Sequence, residues 1–121
     1  MKRLIILNTA EISIILPTYN ESKNIRGILE HIKKSFPSNL KLETIIVDDN
    51  SPDNTAKIAE DYFHSIKEKS SHTINVIKRK AKNGLSSAIL NGIQESSGNT
   101  IVVMDSDFSH PPSIIPKLID A

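Results

Sequence analysis

Two carboxylates spaced by one residue, Asp105 and Asp107, follow directly on an apolar run in the stretch I-V-V-M-D-S-D-F-S-H-P-P, residues 101–112. Where a strand ends, the side chains of residues i and i+2 lean to the same side. One hard divalent cation can then be shared by both carboxylates and still keep open positions for phosphate oxygens. The plainer reading of the same residues is an acidic loop that caps the helix expected after Pro112.

Other residues with chemistry sit in comparable places. Pro17-Thr18-Tyr19-Asn20-Glu21 follows an apolar run without a G-x-G-x-x-G pattern, which argues against a dinucleotide fold of the usual type. Tyr19 has a ring that can stack on a base. Glu21 can accept hydrogen bonds from a base or ribose, or can serve as an acid favouring the N-terminus of a helix capped by Ser22. Asp48 and Asp49 end a second apolar run, a position from which an acid often binds a nucleotide. Pleat alternation sends one of the two toward the crevice. Asp49 is assigned there and Asp48 to a structural role, although sequence leaves the pleat phase open.

The basic run Lys78-Arg79-Lys80-Ala81-Lys82 can face phosphates or solvent, and solvation is expected for most of its lysines. Aromatic platforms for nucleic acid are missing from it, so no nucleic-acid partner is expected. Gly84-Leu85-Ser86-Ser87-Ala88 lacks the last glycine of a nucleophile elbow and has no Asp-then-His pair after it, so both serines read as first-turn helix residues. His31, His64, His72 and His110 have no metal-binding spacing among themselves. The first three are expected at the surface and His110 in a loop held by its neighbouring prolines.

The elements that must position these groups are visible as alternating periods. Strand patterns cover Ile12–Leu16, Leu42–Val47, Thr73–Ile77 and Ile101–Met104. Helical periods place Ile25, Ile28, Leu29, Ile32 and Phe36 on one face, then Ile58, Ala59, Tyr62, Phe63 and Ile66, then Leu85, Ala88, Ile89, Gly92 and Ile93. A last helix, Ser113–Asp120, opens after Pro111 and Pro112 with Ile114, Ile115, Leu118 and Ile119 inward. Repeated strand-then-helix units with apolar, β-branched strands predict an α/β fold, a mostly parallel sheet with helices on both faces and right-handed crossovers. Such a sheet sends every strand-to-helix loop out at the carboxyl edge, where ligands bind.

Composition sets outer bounds. The 121 residues are enough for a single core, with 38% hydrophobic and 24% charged residues and a net charge of +1 that favours no polyanionic partner. The absence of cysteine excludes disulfides and thiolate metal sites. The apolar run after Met1-Lys2-Arg3 is too short for a membrane span or a signal core, and residues 1–11 read as a short extension or extra strand. The final helix reaches Ala121 without a cap or breaker, so the chain is expected to be the N-terminal portion of a larger domain.

Four motifs in order, P-T-Y-N-E, V-D-D-N-S-P-D-N-T, G-L-S-S-A and V-M-D-S-D-F-S-H-P-P, resemble the family 2 glycosyltransferases from Ser13 onward. More narrowly they resemble the polyprenyl-phosphate sugar transferases of the dolichol-phosphate mannosyltransferase type. The resemblance implies a Rossmann-like GT-A fold of which this chain is the donor-binding part. It implies an inverting transfer of mannose from GDP-mannose to a dolichyl or other polyisoprenyl phosphate, with Mg²⁺ or Mn²⁺ on the donor diphosphate. The expected place is the cytoplasmic side of a membrane, the endoplasmic reticulum in a eukaryote and the plasma membrane in a prokaryote.

Carried onto this sequence, the resemblance gives nucleotide-sugar contacts to Pro17, Tyr19, Glu21, Val47, Asp49, Asp105, Ser106 and Asp107. It gives the metal and the chemistry to Asp105 and Asp107, with Ser109 standing where some members have a glutamine ligand. A donor such as UDP-glucose, or a fragment that binds nucleotide-sugar without catalysis, are the alternatives. D-S-D-F-S also resembles the nucleophile loop of haloacid-dehalogenase-like phosphatases, but that motif normally opens its domain rather than following about a hundred residues of other α/β sequence.

Overall fold

In the computed structural model, which describes residues 10–66, 71–80 and 84–105, the apolar runs become parallel strands and the periodic segments become helices. The order is β1 (Ile12–Thr18), α1 (Ile25–Ser35), β2 (Leu42–Asp48), α2 (Thr55–Ser65), β3 (His72–Lys78), α3 (Leu85–Glu95) and β4 (Thr100–Val103). Each of β1, β2 and β3 extends past its expected end, because pairing with the neighbour carries the extended backbone on into Thr18, Asp48 and Lys78. The expected helix over 113–120 and the extension over 1–9 lie outside the described residues.

The strands lie in the order β3-β2-β1-β4, all parallel. The chain therefore winds outward from β1 to β3, then crosses back over the sheet to β4. With right-handed crossovers, that reversal puts α1 and α2 on one face and α3 on the other. The buried clusters follow this division. Ile14, Leu16 and Ile46 meet Ile28, Leu29 and Ile32 of α1 and Ala59 and Tyr62 of α2. On the opposite face Ile15, Ile45 and Val47 meet Ala88 of α3.

Among the described residues the second face has the smaller buried cluster, and small residues in α3 bring the helix close to it. A Cβ at Gly92 would lie 2.5 Å from Cγ2 of Ile15 and 3.3 Å from Cγ2 of Val47, so only a glycine lets the helix approach this closely. The sequence pattern placed Leu85 and Ile93 inward beside Ala88 and Gly92, yet they are 59% and 38% exposed. Ile93 lies about 100° of helical turn beyond Gly92, on the flank of that contact, and Leu85 is the first residue of α3, at the end of the helix.

The amino edge of the sheet is tied by a buried carboxylate. Glu43 Oε2 accepts from Ser13 Oγ at 2.9 Å, Ser97 N at 3.0 Å and Ser97 Oγ at 2.8 Å, while Gly98 N donates to Ser13 Oγ at 2.8 Å. This network joins β1, β2 and the turn that leads into β4.

His72 corrects the expectation of a surface histidine, for it is 4% exposed at the start of β3. Its Nε2 lies 3.1 Å from Thr44 Oγ1, and its Nδ1 has no hydrogen-bond partner. Burial, with a smaller contribution from Lys33, pushes its pKa down to about 4.

Two predictions follow from this packing. Gly92→Val should overfill the α3 contact and lower unfolding free energy by about 1–3 kcal/mol in urea denaturation. The unfolded chain protonates His72 near 6.5, whereas the folded chain resists until about 4. Stability should therefore be fully present above pH 6.5 and decline as pH falls toward 4, by on the order of 3 kcal/mol for this group. His72→Phe should flatten that part of the pH–stability curve.

Candidate functional site

Thr18, Asp48 and Lys78 stand level across β1, β2 and β3, so the three loops that follow leave the sheet side by side. On the other flank Val103 is level with Ile15, Met104 N donates to Ile15 O at 3.1 Å, and Asp105 emerges exposed just beyond. The register alone thus brings Pro17, Tyr19, Asp49, Arg79 and Asp105 to one edge.

Asp48 holds the first two loops together. It is 2% exposed; its Oδ1 accepts from Thr18 Oγ1 and Ser51 Oγ, both at 2.7 Å, and its Oδ2 accepts from Ser51 N at 2.9 Å. Beside it Asp49 N donates to Thr18 O at 3.1 Å. Further straps run the same way, from Asn20 N to Ser51 Oγ at 2.8 Å, from Glu21 N to Thr55 Oγ1 at 3.0 Å and from Ser22 N to Asp53 Oδ2 at 3.1 Å. Burial acts to raise the pKa of Asp53, but hydrogen bonds from Thr55 and Ser22 outweigh it and leave the carboxyl below its ordinary value.

The structural role assigned to Asp48 is what these bonds describe. Pleat alternation does not separate the pair as expected, since Asp49 is also buried, at 6% exposure. Asp48 is the last strand residue and Asp49 has already left the pleat, so alternation no longer governs it.

Arg79 is the residue that sequence reasoning passed over. Its Nε donates to Asp49 Oδ1 at 2.5 Å and its Nη2 to Asp49 Oδ2 at 3.0 Å, with both side chains only 8% exposed. Hydrogen bonding to Asp49 raises the Arg79 pKa further above its already high value. A signal for this was present: Arg79 is the sole arginine in K-R-K-A-K, and a planar fork suits a carboxylate as an ammonium does not. The neighbouring lysines match expectation better. Lys78 forms a half-exposed ion pair with Glu60 at 2.9 Å, and Lys80 is exposed.

Tyr19 is 39% exposed at the edge and Pro17 is half-buried beside it. Glu21 Oε2 accepts from Asn24 Nδ2 at 3.1 Å, and α1 begins at Ile25 after Asn24, so Ser22 is not the cap. Val47 is fully buried in the α3-facing core, which leaves only its main chain for any contact with a ligand. Ser106, Asp107, Ser109 and His110 lie outside the described residues, and Asp105 is the described member of the predicted metal set. Among the described residues, no three His, Cys, Asp or Glu side chains gather in a way that could hold a metal ion.

The sequence matches the Glycosyl transferase family 2 over residues 13–121. It is 41% identical over 111 residues to a dolichol-phosphate mannosyltransferase of Pyrococcus furiosus, an alignment covering 92% of this chain and 30% of that protein. It is 34% identical over 113 residues to the dolichol-phosphate mannosyltransferase of Saccharomyces cerevisiae, covering 92% of this chain and 40% of that one. The chain therefore spans well under half the length of these relatives.

Among solved structures, the mannosyltransferase PcManGT from Pyrobaculum calidifontis, in complex with GDP-Man and Mn²⁺, superposes with a TM-score of 0.72. Identity there is 24%, with 82% of this chain and 28% of that one covered, a likeness of fold alone. Staphylococcus aureus TarS 1-349 in complex with UDP-GlcNAc superposes with a TM-score of 0.66 at 28% identity, covering 80% of this chain and 26% of that one. The parallel sheet and its helices have the GT-A fold.

Asp48→Ala would leave the Thr18 hydroxyl and both Ser51 donors without their acceptor. Urea unfolding should show a loss on the order of 3 kcal/mol, because buried donors stripped of a partner carry their full desolvation cost.

Proposed function

The chain belongs to glycosyl transferase family 2, and from that membership we propose that the full-length protein transfers mannose from GDP-mannose to a polyisoprenyl phosphate such as dolichyl phosphate, inverting the sugar's configuration. The observation that carries this reading is the 41% identity to a dolichol-phosphate mannosyltransferase across 92% of the chain. The meeting of Pro17, Tyr19, Asp49 and Asp105 at one sheet edge supports it, since each belongs to a motif of the resemblance.

In this reading Tyr19 stacks on the nucleobase, Asp49 accepts hydrogen bonds at the nucleoside end, and Pro17 packs beside them. Asp105 and Asp107 hold the diphosphate end together with Mg²⁺ or Mn²⁺, aided by Ser106 and Ser109. An all-oxygen donor set of two carboxylates and the Ser109 hydroxyl, with Ser106 contributing through its backbone, suits a hard divalent cation. When bound, that ion offsets the negative charge that develops on the departing diphosphate.

The acceptor phosphate is anionic near neutral pH and attacks the anomeric carbon opposite the leaving group, so the chain's own residues need not supply a strong base. Their work is positional: the Asp48 staple and the loop straps keep the nucleotide end fixed while the sugar end faces the acceptor. None of the described helices is long and apolar enough to cross a membrane. In this reading the lipid acceptor brings the reaction to a membrane surface, which we assign to the cytoplasmic face.

A UDP-sugar donor is the second reading, favoured by the 28% identity to TarS, which was solved with UDP-GlcNAc. Calorimetry with GDP-mannose, UDP-glucose and GDP, each with and without Mn²⁺, decides between them. Manganese-dependent binding that prefers the guanine donor is the expected result, and preference for the uracil donor would transfer the assignment to a glucosyl relative. In the full-length protein, Asp107→Ala should abolish transfer of radiolabelled mannose to dolichyl phosphate; undiminished turnover would refute the metal and catalytic assignment.

A further inference from the structure

Resting on the reading above, which sets Asp49 at the nucleobase end of the donor, we propose that Arg79 is the specificity-determining positioning residue of that site: it fixes the Asp49 carboxylate as a rigid acceptor, which favours nucleobases carrying a ring N–H, guanine or uracil, over adenine.

The geometry around Arg79 is more elaborate than a surface ion pair. Its Nε and Nη2 each take one oxygen of Asp49, at 2.5 and 3.0 Å, which fixes the plane of the carboxylate as well as its place. Nη2 also donates to Gly84 O at 3.2 Å and Nη1 to Ser87 Oγ at 2.7 Å. The Arg79 main-chain N donates to Asp48 O at 2.8 Å. One guanidinium thus bridges the loop after β2, the loop after β3 and the first turn of α3. Gly84 has φ +93°, a backbone conformation that side chains rarely adopt, at the point where its carbonyl receives the arginine.

Stability alone is a poor reason for such a pair. Taking both charges out of water costs about as much as their attraction returns, and apolar residues of the same volume often do as well. The pair also lies at the carboxyl edge, where the ligand-binding loops emerge, rather than beneath a helix.

A carboxylate in this state only accepts hydrogen bonds. The fork uses one lone pair on each oxygen, and each oxygen keeps another. Guanine offers a ring N–H with an adjacent amino group, and uracil offers a ring N–H; both donate to such an acceptor. Adenine offers an amino group beside a bare ring nitrogen, whose lone pair repels a carboxylate that cannot turn away. Were Asp49 free to rotate, it could take the adenine amino group alone, so discrimination depends on the arginine that stops the rotation.

The test is calorimetric titration of the full-length protein with GDP, UDP and ADP in Mn²⁺, beside donor kinetics, for the parent, Arg79→Gln and Arg79→Lys. The parent should bind its preferred nucleotide on the order of 100-fold tighter than ADP, and Arg79→Gln should narrow that preference to below about tenfold. The donor KM should rise about tenfold in Arg79→Gln while kcat changes less than about threefold, and Arg79→Lys should restore charge without restoring the preference. Should Arg79→Gln fail to fold by circular dichroism, Arg79→Lys carries the comparison. Parental preference and KM in the folded variants would overturn the role of Arg79 while leaving the mannosyl reading intact. A parent that binds none of the three nucleotides would overturn both.

Discussion

The buried carboxylate of Asp48 is the constraint on which the working edge of this sheet depends. A parallel sheet delivers its loops to a common edge, but nothing in strand pairing says how those loops stand relative to one another. Here the oxygens of a single side chain accept from Thr18 and from Ser51, so the loops after β1 and β2 cannot drift apart without stripping a buried charge of its partners. The main-chain carbonyl of the same residue receives Arg79 N and brings in the third loop. Asp49 inherits its position from that arrangement.

The two ends of the sheet divide the labour. At the amino edge Glu43 gathers Ser13 and Ser97, and the turn at Gly98 closes so tightly that a Cβ there would meet Ser13 Oγ at 2.5 Å. That knot sets where β4 begins, and the short strand carries the setting through to Asp105 at the far end. Asp105 at the carboxyl edge is therefore placed partly by hydrogen bonds at the opposite one. Each edge thus has its own buried carboxylate network, Glu43 at the amino edge and Asp48 at the carboxyl edge.

Much of this was readable before any coordinates. Alternating periods gave the four strands and three described helices, and the apolar, β-branched strands gave their parallel pairing, because both depend on local patterns that sequence displays directly. The gathering of Tyr19, Asp49 and Asp105 at one edge followed from topology. What escaped was decided by three-dimensional partners. Arg79 read as one more basic residue in a solvated run, since its carboxylate lies thirty positions away in the chain. His72 read as a surface histidine, because nothing in H-T-I-N-V-I-K shows that Thr44 stands beside it. Ser22 looked like a helix cap, but its N–H was claimed by Asp53 and the helix started later.

Three asparagines, Asn20, Asn50 and Asn54, adopt φ of 55°, 59° and 68° in the loops that rim the carboxyl edge. Glycine would reach the same left-handed bends without steric cost, yet it would also multiply the shapes open to the unfolded chain and to the loop itself. Asparagine tolerates the bend while retaining a side chain that limits those shapes. The curvature of the rim is thus written in residues that hold one contour, so a ligand arriving there meets a surface already shaped and gives up less entropy in ordering it.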